Sequence, residues 1–181
     1  IHGYFWYIGI LEHERHLWTI PVLEFLALAI NILFVHQFVR PEDLEQGAIV
    51  INLRTDALAA DLTLTEESMR CPATVRIYQE LITTAAWREL APFANCAHAF
   101  GDTNPCGDLA SRAEWMRLRR LARQLNTTLR VMPPPDGASV LLNVALNRPR
   151  EAPAPSINGV EAIRYQAAPP EQSDEHRALV P

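Results

Sequence analysis

Three acidic residues occupy positions from which carboxylates can bind divalent cations. Glu24 lies in the first turn of a predicted apolar helix, Asp56 comes just past the apolar run 48–53, and Asp108 opens a later predicted helix. An acid in a hydrophobic helix is costly to bury unless it has a partner, and a metal ion is such a partner. Two magnesium ions held by several carboxylates stabilise both oxygens of a phosphodiester displacement. The three acids therefore indicate a candidate site for metal-dependent phosphodiester chemistry.

Each of these acids also has an ordinary structural role available. Glu24 would interact favourably with the positive end of the helix dipole. Asp56 would cap a turn, and Asp108 would be an acid at the N-terminus of its helix. Taken singly, these roles account for the residues as well as a metal does. The order of the three along the chain favours a shared site.

The elements that would position these acids alternate between strands and helices. Aromatic and β-branched residues predict strands near the start of the chain, and the apolar run 48–53 predicts a strand covered on both faces. The segment 22–38 is apolar nearly all round, as in a helix buried against a sheet. The predicted order is strand, strand, helix, strand, helix, strand, helix, over residues 3–11, 16–20, 22–38, 48–53, 72–90, 93–100 and 108–125. This order predicts an α/β fold in which helices pack against a mixed sheet.

The character of the chain changes after Met132. Three consecutive prolines follow at 133–135, and Val140–Leu146 is the last apolar segment, either a strand or a helical turn. From Asn147 onward, prolines, alanines and charges mix without periodicity, which is typical of a disordered segment. The sequence therefore predicts a domain over residues 1–130 and a mostly disordered linker or tail over 131–181.

The charge of the chain is negative overall but unevenly distributed. The net charge of -5 is not typical of a nucleic-acid-binding protein, which is more often basic. The segment 112–130 nevertheless holds six arginines and one acid, whereas 151–181 holds five acids and two arginines. A basic helix either contacts phosphates or presents a solvated face; its candidate residues are Arg117, Arg119, Arg120 and Arg123.

The three cysteines indicate reduced thiols rather than a disulfide framework. Their number is odd and no CxxC pair is present, so an intracellular protein of the cytoplasm or nucleus fits best. Cys96, His98 and Cys106 form a conceivable zinc site. Such a site would lack a fourth ligand at a familiar spacing, so free reduced thiols are the preferred interpretation over a zinc site.

The strongly apolar stretch Trp18–Val39 raises the alternative of a membrane anchor. It contains Pro21 and Glu24, and its uninterrupted apolar run is shorter than the roughly 20 residues that span a bilayer. A buried helix is the preferred interpretation, and no membrane partner is predicted.

Three stretches of the chain resemble the ribonuclease H-like domains of retroelement reverse transcriptases, in the style of DIRS-like retrotransposons. Residues 20–28 (IPVLEFLAL) resemble the helix I-x-x-L-E-L-L-A of that family, and residues 50–57 (VINLRTDA) resemble its second acidic strand. Residues 98–112 resemble the closing motif pG-x-x-N-x-x-A-D-x-L-S-R, which is the most specific match. The positions in register are Gly101, Asn104, Asp108, Ser111 and Arg112. The resemblance covers about residues 1–125.

The resemblance implies both a fold and an activity. Domains of this family cut the RNA strand of RNA–DNA hybrids with two Mg²⁺ or Mn²⁺ ions on an Asp-Glu-Asp-Asp set. Glu24, Asp56 and Asp108 would be catalytic residues and metal ligands. His98 would assist product release or proton transfer, unless it is an ordinary strand residue. The implied partners are an RNA–DNA hybrid and the polymerase domain of the same polyprotein.

Departures from the family pattern keep two hypotheses open. No aspartate precedes Asp43, so the family's first aspartate and its central strand are expected upstream of Ile1. Ala57 stands where the family has Asn or Ser, and residues 106–107 replace its usual small-residue pair. The chain is therefore either a hybrid ribonuclease that depends on the upstream aspartate, or a non-catalytic nucleic-acid-binding or structural module of a degenerate element.

Overall fold

The computed structural model describes residues 2–5, 16–47, 49–55, 71–99, 105–112 and 114–152, in which strands and helices alternate. The strands are β1 (His2–Phe5), β2 (Ile51–Thr55), β3 (Ala94–His98) and β4 (Thr128–Val131). The helices are α1 (Ile20–His36), α2 (Pro41–Glu45), α3 (Pro72–Thr83), α4 (Ala85–Leu90), α5 (Pro105–Ser111), α6 (Trp115–Gln124) and α7 (Ala138–Ala145), with a 3₁₀ turn at Ala91–Phe93. The predicted α/β class is confirmed.

Both strand pairs in the described part of the chain are parallel. β2 pairs with β3 from Ile51 opposite Ala94 to Thr55 opposite His98. Parallel neighbours need a long crossover connection, and the segment that contains α3 and α4 supplies it. β1 pairs separately with β4. These two-stranded sheets contain no antiparallel pair, so the mixed sheet is not seen among the described residues.

Helix α1 lies at the centre of the hydrophobic core because it is apolar on almost every side. It has 17 residues, and Pro21 stands in its first turn, where a missing backbone N–H costs nothing. It packs against α3, α4, α7 and β2. Phe25, Ala29 and Ile30 are at most 1% exposed. In the described residues, no helix combines the length and the apolar character needed to cross a membrane.

Thr84 divides the single helix predicted over 72–90 into α3 and α4. Its backbone is extended, with φ -75° and ψ 151°, and its hydroxyl donates to the Leu81 carbonyl at 2.6 Å. The same oxygen accepts from the Trp87 N–H at 3.1 Å, which caps the start of α4. Threonine favours such N-cap positions because its side chain replaces a missing backbone partner.

Two further predictions of secondary structure are corrected. The strand predicted over 16–20 is wrong: His16 and Leu17 form a short helical turn, and α1 begins at Ile20. The helix predicted over 108–125 is two helices, because α5 ends at Ser111 and α6 begins at Trp115. The first error arose because short runs of mixed apolar and polar residues do not distinguish a strand from a helical turn.

Helix α7 extends the packed unit beyond residue 130, where the sequence places the end of the domain. Leu141 and Leu142 are fully buried, and α7 packs against α1 and α3. The apolar segment that the sequence left open between a strand and a helical turn is therefore a helix of eight residues. The helix begins after Gly137, whose φ of +87° favours glycine.

Truncation of Leu142 tests the contribution of α7 to the core. We expect Leu142→Ala to lower the free energy of unfolding by about 2–5 kcal/mol, because it leaves a cavity at a fully buried position. Urea denaturation measures the change. Leu125→Ala is the matched control, since Leu125 is 55% exposed, and it should cost less than about 1 kcal/mol. Equal effects of the two substitutions would contradict the placement of α7 in the core.

Candidate functional site

The carboxyl ends of β2 and β3 form one edge of a parallel sheet. Thr55 lies opposite His98, and the Ala99 N–H donates to the Thr55 carbonyl at 2.7 Å. Thr55 is buried and His98 is half-buried. Asp56 follows Thr55 in the sequence but lies outside the described residues, so its predicted metal-binding role stays a prediction. In open α/β folds, sites form beyond such strand ends.

Glu24 lies further into its helix than the sequence indicates. Because α1 begins at Ile20, its first turn contains no acid and Glu24 starts the second turn. The attraction of the helix dipole for a carboxylate fades beyond the first turn, which weakens the dipole explanation for Glu24. The Glu24 side chain is half-buried. Its neighbours in the sequence are Leu23, which is partly buried, and Phe25, which is buried.

Asp108 lies in the first turn of α5, where it forms an ion pair with Arg112. Oδ1 of Asp108 is 2.9 Å from Nη2 of Arg112, one turn further along the chain. The side chains are 33% and 65% exposed, so solvent screens the pair, which contributes at most about 1 kcal/mol to stability. The contact joins two residues of the Gly101–Arg112 motif and restricts the orientation of the Asp108 carboxylate.

The described residues do not join the predicted site residues into one metal-binding group. The described residues contain no group of three or more His, Cys, Asp and Glu side chains that could hold a metal ion. Cys96, His98 and Cys106 all lie within the described ranges and form no such group. Glu24 and Asp108 likewise belong to no such group of possible metal ligands. The full set with Asp56 remains a prediction, since Asp56 lies outside the described residues.

Helix α6 presents a basic face to solvent. Leu118 and Ala122 are buried, whereas its arginines point away from this apolar side. Arg117 forms an ion pair with Glu114 at 2.6 Å. The other three helix arginines, Arg119, Arg120 and Arg123, are exposed. Arg123 follows Arg119 by four residues and Arg120 by three, so its charge repels both of theirs along the helix. An anionic partner would relieve this repulsion.

Sequence reasoning missed the environment of Cys71 at the N-terminus of α3. The backbone N–H of Thr74 favours the thiolate and lowers the pKa of the Cys71 thiol, and burial opposes this effect. The Ala73 N–H, the Thr74 hydroxyl and the Arg76 charge make smaller contributions that also lower the pKa. The signal was available in the sequence, because Cys71-Pro72 opens a predicted helix and thiols at such positions are acidified.

Comparison with known proteins gives no relative. No protein-family model, no curated protein and no solved structure matches the chain. The resemblance to ribonuclease H-like domains therefore rests on the three sequence stretches described above.

The acidified Cys71 thiol predicts a shift in the pH dependence of alkylation. Because native hydrogen bonds favour the thiolate, iodoacetamide labelling of Cys71 should reach half its maximal rate at a lower pH in the folded chain than in urea. The lowered pKa of the Cys71 thiol also contributes to the free energy of unfolding. This contribution is fully present above the pKa that the thiol has in the unfolded chain, and it is lost as the pH falls through the lower pKa of the folded chain. Mass spectrometry of the labelled peptide measures both profiles.

Thr74→Val is the informative variant for this profile. It removes the hydroxyl but keeps the backbone N–H, so the midpoint should move only part of the way toward the unfolded value. Identical midpoints in the folded and the unfolded chain would show that the thiol is not acidified by the fold.

Proposed function

We propose that the chain belongs to a metal-dependent nuclease of the ribonuclease H type, which cuts the RNA strand of RNA–DNA hybrids as part of a reverse transcriptase polyprotein. The parallel pairing of β2 with β3 is the observation that carries the proposal. It supports a common location for the residue that follows β2, Asp56, and the motif that follows β3. The contact of α1 with β2 is consistent with a contribution from Glu24.

The chemistry of the donor set fits the proposed metal. Carboxylate oxygens are the ligands that Mg²⁺ and Mn²⁺ prefer, and Glu24, Asp56 and Asp108 would supply them. The bound ions would stabilise the attacking and leaving oxygens of a phosphodiester. Arg112 would hold the Asp108 carboxylate in one orientation through their ion pair. His98, opposite Thr55 at the sheet edge, would serve as a proton donor or acceptor near the product.

Hydrolysis of a labelled hybrid tests this proposal. We expect Mg²⁺-dependent cleavage of the RNA strand by a polypeptide extended upstream through the expected first aspartate. Asp56→Asn should reduce the rate at least about 100-fold, since loss even of a group that only orients a metal ligand costs up to that much. Asp136→Asn is the matched control because Asp136 is exposed, and its activity should equal that of the parent.

A folded extended polypeptide that leaves the hybrid intact in both Mg²⁺ and Mn²⁺ would contradict the catalytic proposal. Circular dichroism and a cooperative urea transition establish that the polypeptide is folded. Equal loss of activity in the Asp56 and Asp136 variants would also contradict the assigned role of Asp56.

A second candidate function is a non-catalytic module that binds nucleic acid through the basic face of α6. The observation that favours it is the segregation of charge on this helix: Arg119, Arg120 and Arg123 are exposed, and Leu118 anchors the opposite side in the protein. Guanidinium groups bind phosphate oxygens through paired hydrogen bonds. Such contacts need no metal and tolerate any sequence.

The salt dependence of binding tests the α6 surface. Replacing Arg119 and Arg123 by alanine should weaken binding to a hybrid and lower the slope of log K against log salt by about 1.8, since each phosphate contact contributes about 0.9. The control double variant Arg40→Ala/Arg88→Ala makes the same charge change at two exposed arginines elsewhere. Fluorescence anisotropy measures both. Equal slopes for the two double variants would exclude specific phosphate contacts from α6.

A further inference from the structure

A small cavity lined by arginines lies where the C-terminal part of α3 meets the end of α7. Its volume is about 220 Å³, and three arginines line it, one from α3 and two from the segment that follows α7, together with one carboxylate and two amides. We refer to it as the arginine cavity, and its polar lining residues are Arg76, Gln79, Glu80, Asn147, Arg148 and Arg150. It is separate from the edge of the β2–β3 sheet and uses none of the predicted metal ligands.

Arg76 is held in one orientation by the end of α7. Its Nε donates to the Val144 carbonyl at 2.7 Å and its Nη2 donates to the Ala145 carbonyl at 2.8 Å. These carbonyls belong to the last turn of α7, where a cation is favourable. The Val144 carbonyl also accepts from the Asn147 N–H at 3.1 Å. A guanidinium carries five N–H groups. Arg76 can therefore cap α7 and still present donors to the cavity that it lines.

The segment that carries Arg148 and Arg150 is held by Asn143, which is completely buried. Its Nδ2 donates to the carbonyls of Arg150, at 3.3 Å, and Ala152, at 2.5 Å. The Arg148 N–H donates to the Asn143 carbonyl at 2.8 Å. These bonds turn the chain back across the end of α7 and bring Arg148 and Arg150 close to α3. The cationic side chains are thus positioned by the backbone before any ligand binds.

The charges that line the cavity do not balance. Three guanidinium groups and one carboxylate leave a formal charge of +2. Arg150 lies 2.5 Å from Glu80, whose side chain is only 13% exposed, so the remaining positive charges are those of Arg76 and Arg148. The carbonyl end of α7 offsets about half a charge beside Arg76. Arg148 lines the cavity, is exposed, and forms no side-chain ion pair within the described residues.

We propose that the arginine cavity binds a phosphate group, either as free phosphate or as a small phosphate monoester. Guanidinium groups match the geometry of tetrahedral oxyanions and form short, charge-assisted hydrogen bonds with them. The amides of Gln79 and Asn147 add neutral donors. The volume is below the range of about 300–1,000 Å³ that is usual for drug-sized ligands, which favours a phosphate with a short substituent over a nucleotide.

Calorimetric titration of the whole chain tests the proposal in buffer free of divalent cations, at constant ionic strength with NaCl as the balancing salt. Inorganic phosphate and methyl phosphate are the two probes. We expect saturable binding of at least one of them to one site per chain. Tighter binding of methyl phosphate would identify a monoester ligand, and tighter binding of phosphate would identify the free anion. No heat above that of the NaCl titration for either probe would overturn the proposal.

Substitution of Arg148 assigns the binding to this cavity. We expect Arg148→Ala to weaken the binding at least about tenfold through loss of charge-assisted hydrogen bonds, and Arg148→Lys to retain part of it. Arg88→Ala is the matched control, since it removes an exposed arginine of α4 that belongs to neither proposed phosphate-binding surface. Binding by Arg148→Ala at the parental affinity, or equal weakening by Arg88→Ala, would overturn the assignment. The experiment contains no metal and no hybrid, so its result is independent of the hydrolysis proposed above.

Discussion

The burial of α1 is the interaction on which the rest of the described structure depends. A helix that is apolar on nearly all sides must be covered on nearly all sides, and α3, α4, α7 and β2 together cover it. Each of these elements contributes buried apolar residues to the same core cluster as α1, among them Leu81, Leu90, Leu142 and Leu53. The positions of the β2–β3 edge and of the arginine cavity both follow from this arrangement.

Polar contacts then define how the covering elements end. Arg76 holds the last turn of α7, Asn143 turns the chain after that helix, and Thr84 separates α3 from α4. Most buried polar groups in proteins are hydrogen-bonded, and the Nδ2 of Asn143 follows this rule, whereas its buried Oδ1 has no partner among the described residues. The hydrophobic core determines which helices and strands pack against each other. The polar contacts determine where the helices end and how the chain continues after them.

The sequence predicted the helices and strands that coincide with a clear apolar segment of the chain. The α1 helix, the β2 strand and the β3 strand lie in mainly apolar segments, and their bounds differ from the predictions by a few residues. The prediction that the β2 strand is covered on both faces is wrong, because β2 extends to polar residues and Asn52 and Arg54 are exposed. The break at Thr84 could not be predicted with the same certainty, because threonine is compatible with a helix interior and its capping role depends on tertiary packing. The helix α7 was left open because eight residues fit either period.

The candidate site was predictable only as an order of acids along the chain. Glu24 and Asp108 stand in the helices expected for them, although the earlier start of α1 moves Glu24 into its second turn. The arginine cavity could not be predicted at all. Arg76 and Arg148 are distant in sequence, and only the packing of α3 on α7 brings them together.

The pairing of β1 with β4 has a consequence for the order in which the molecule assembles. His2 pairs with Thr128, so this short ladder joins two segments that are about 126 residues apart in the sequence. The core helices α1, α3 and α4 lie between these segments along the chain. Closing so long a loop carries a large entropic cost that four residue pairs offset only in part. Local helical contacts form faster than such distant pairs. We therefore infer that the helical core folds first and that the β1–β4 ladder closes last and opens first.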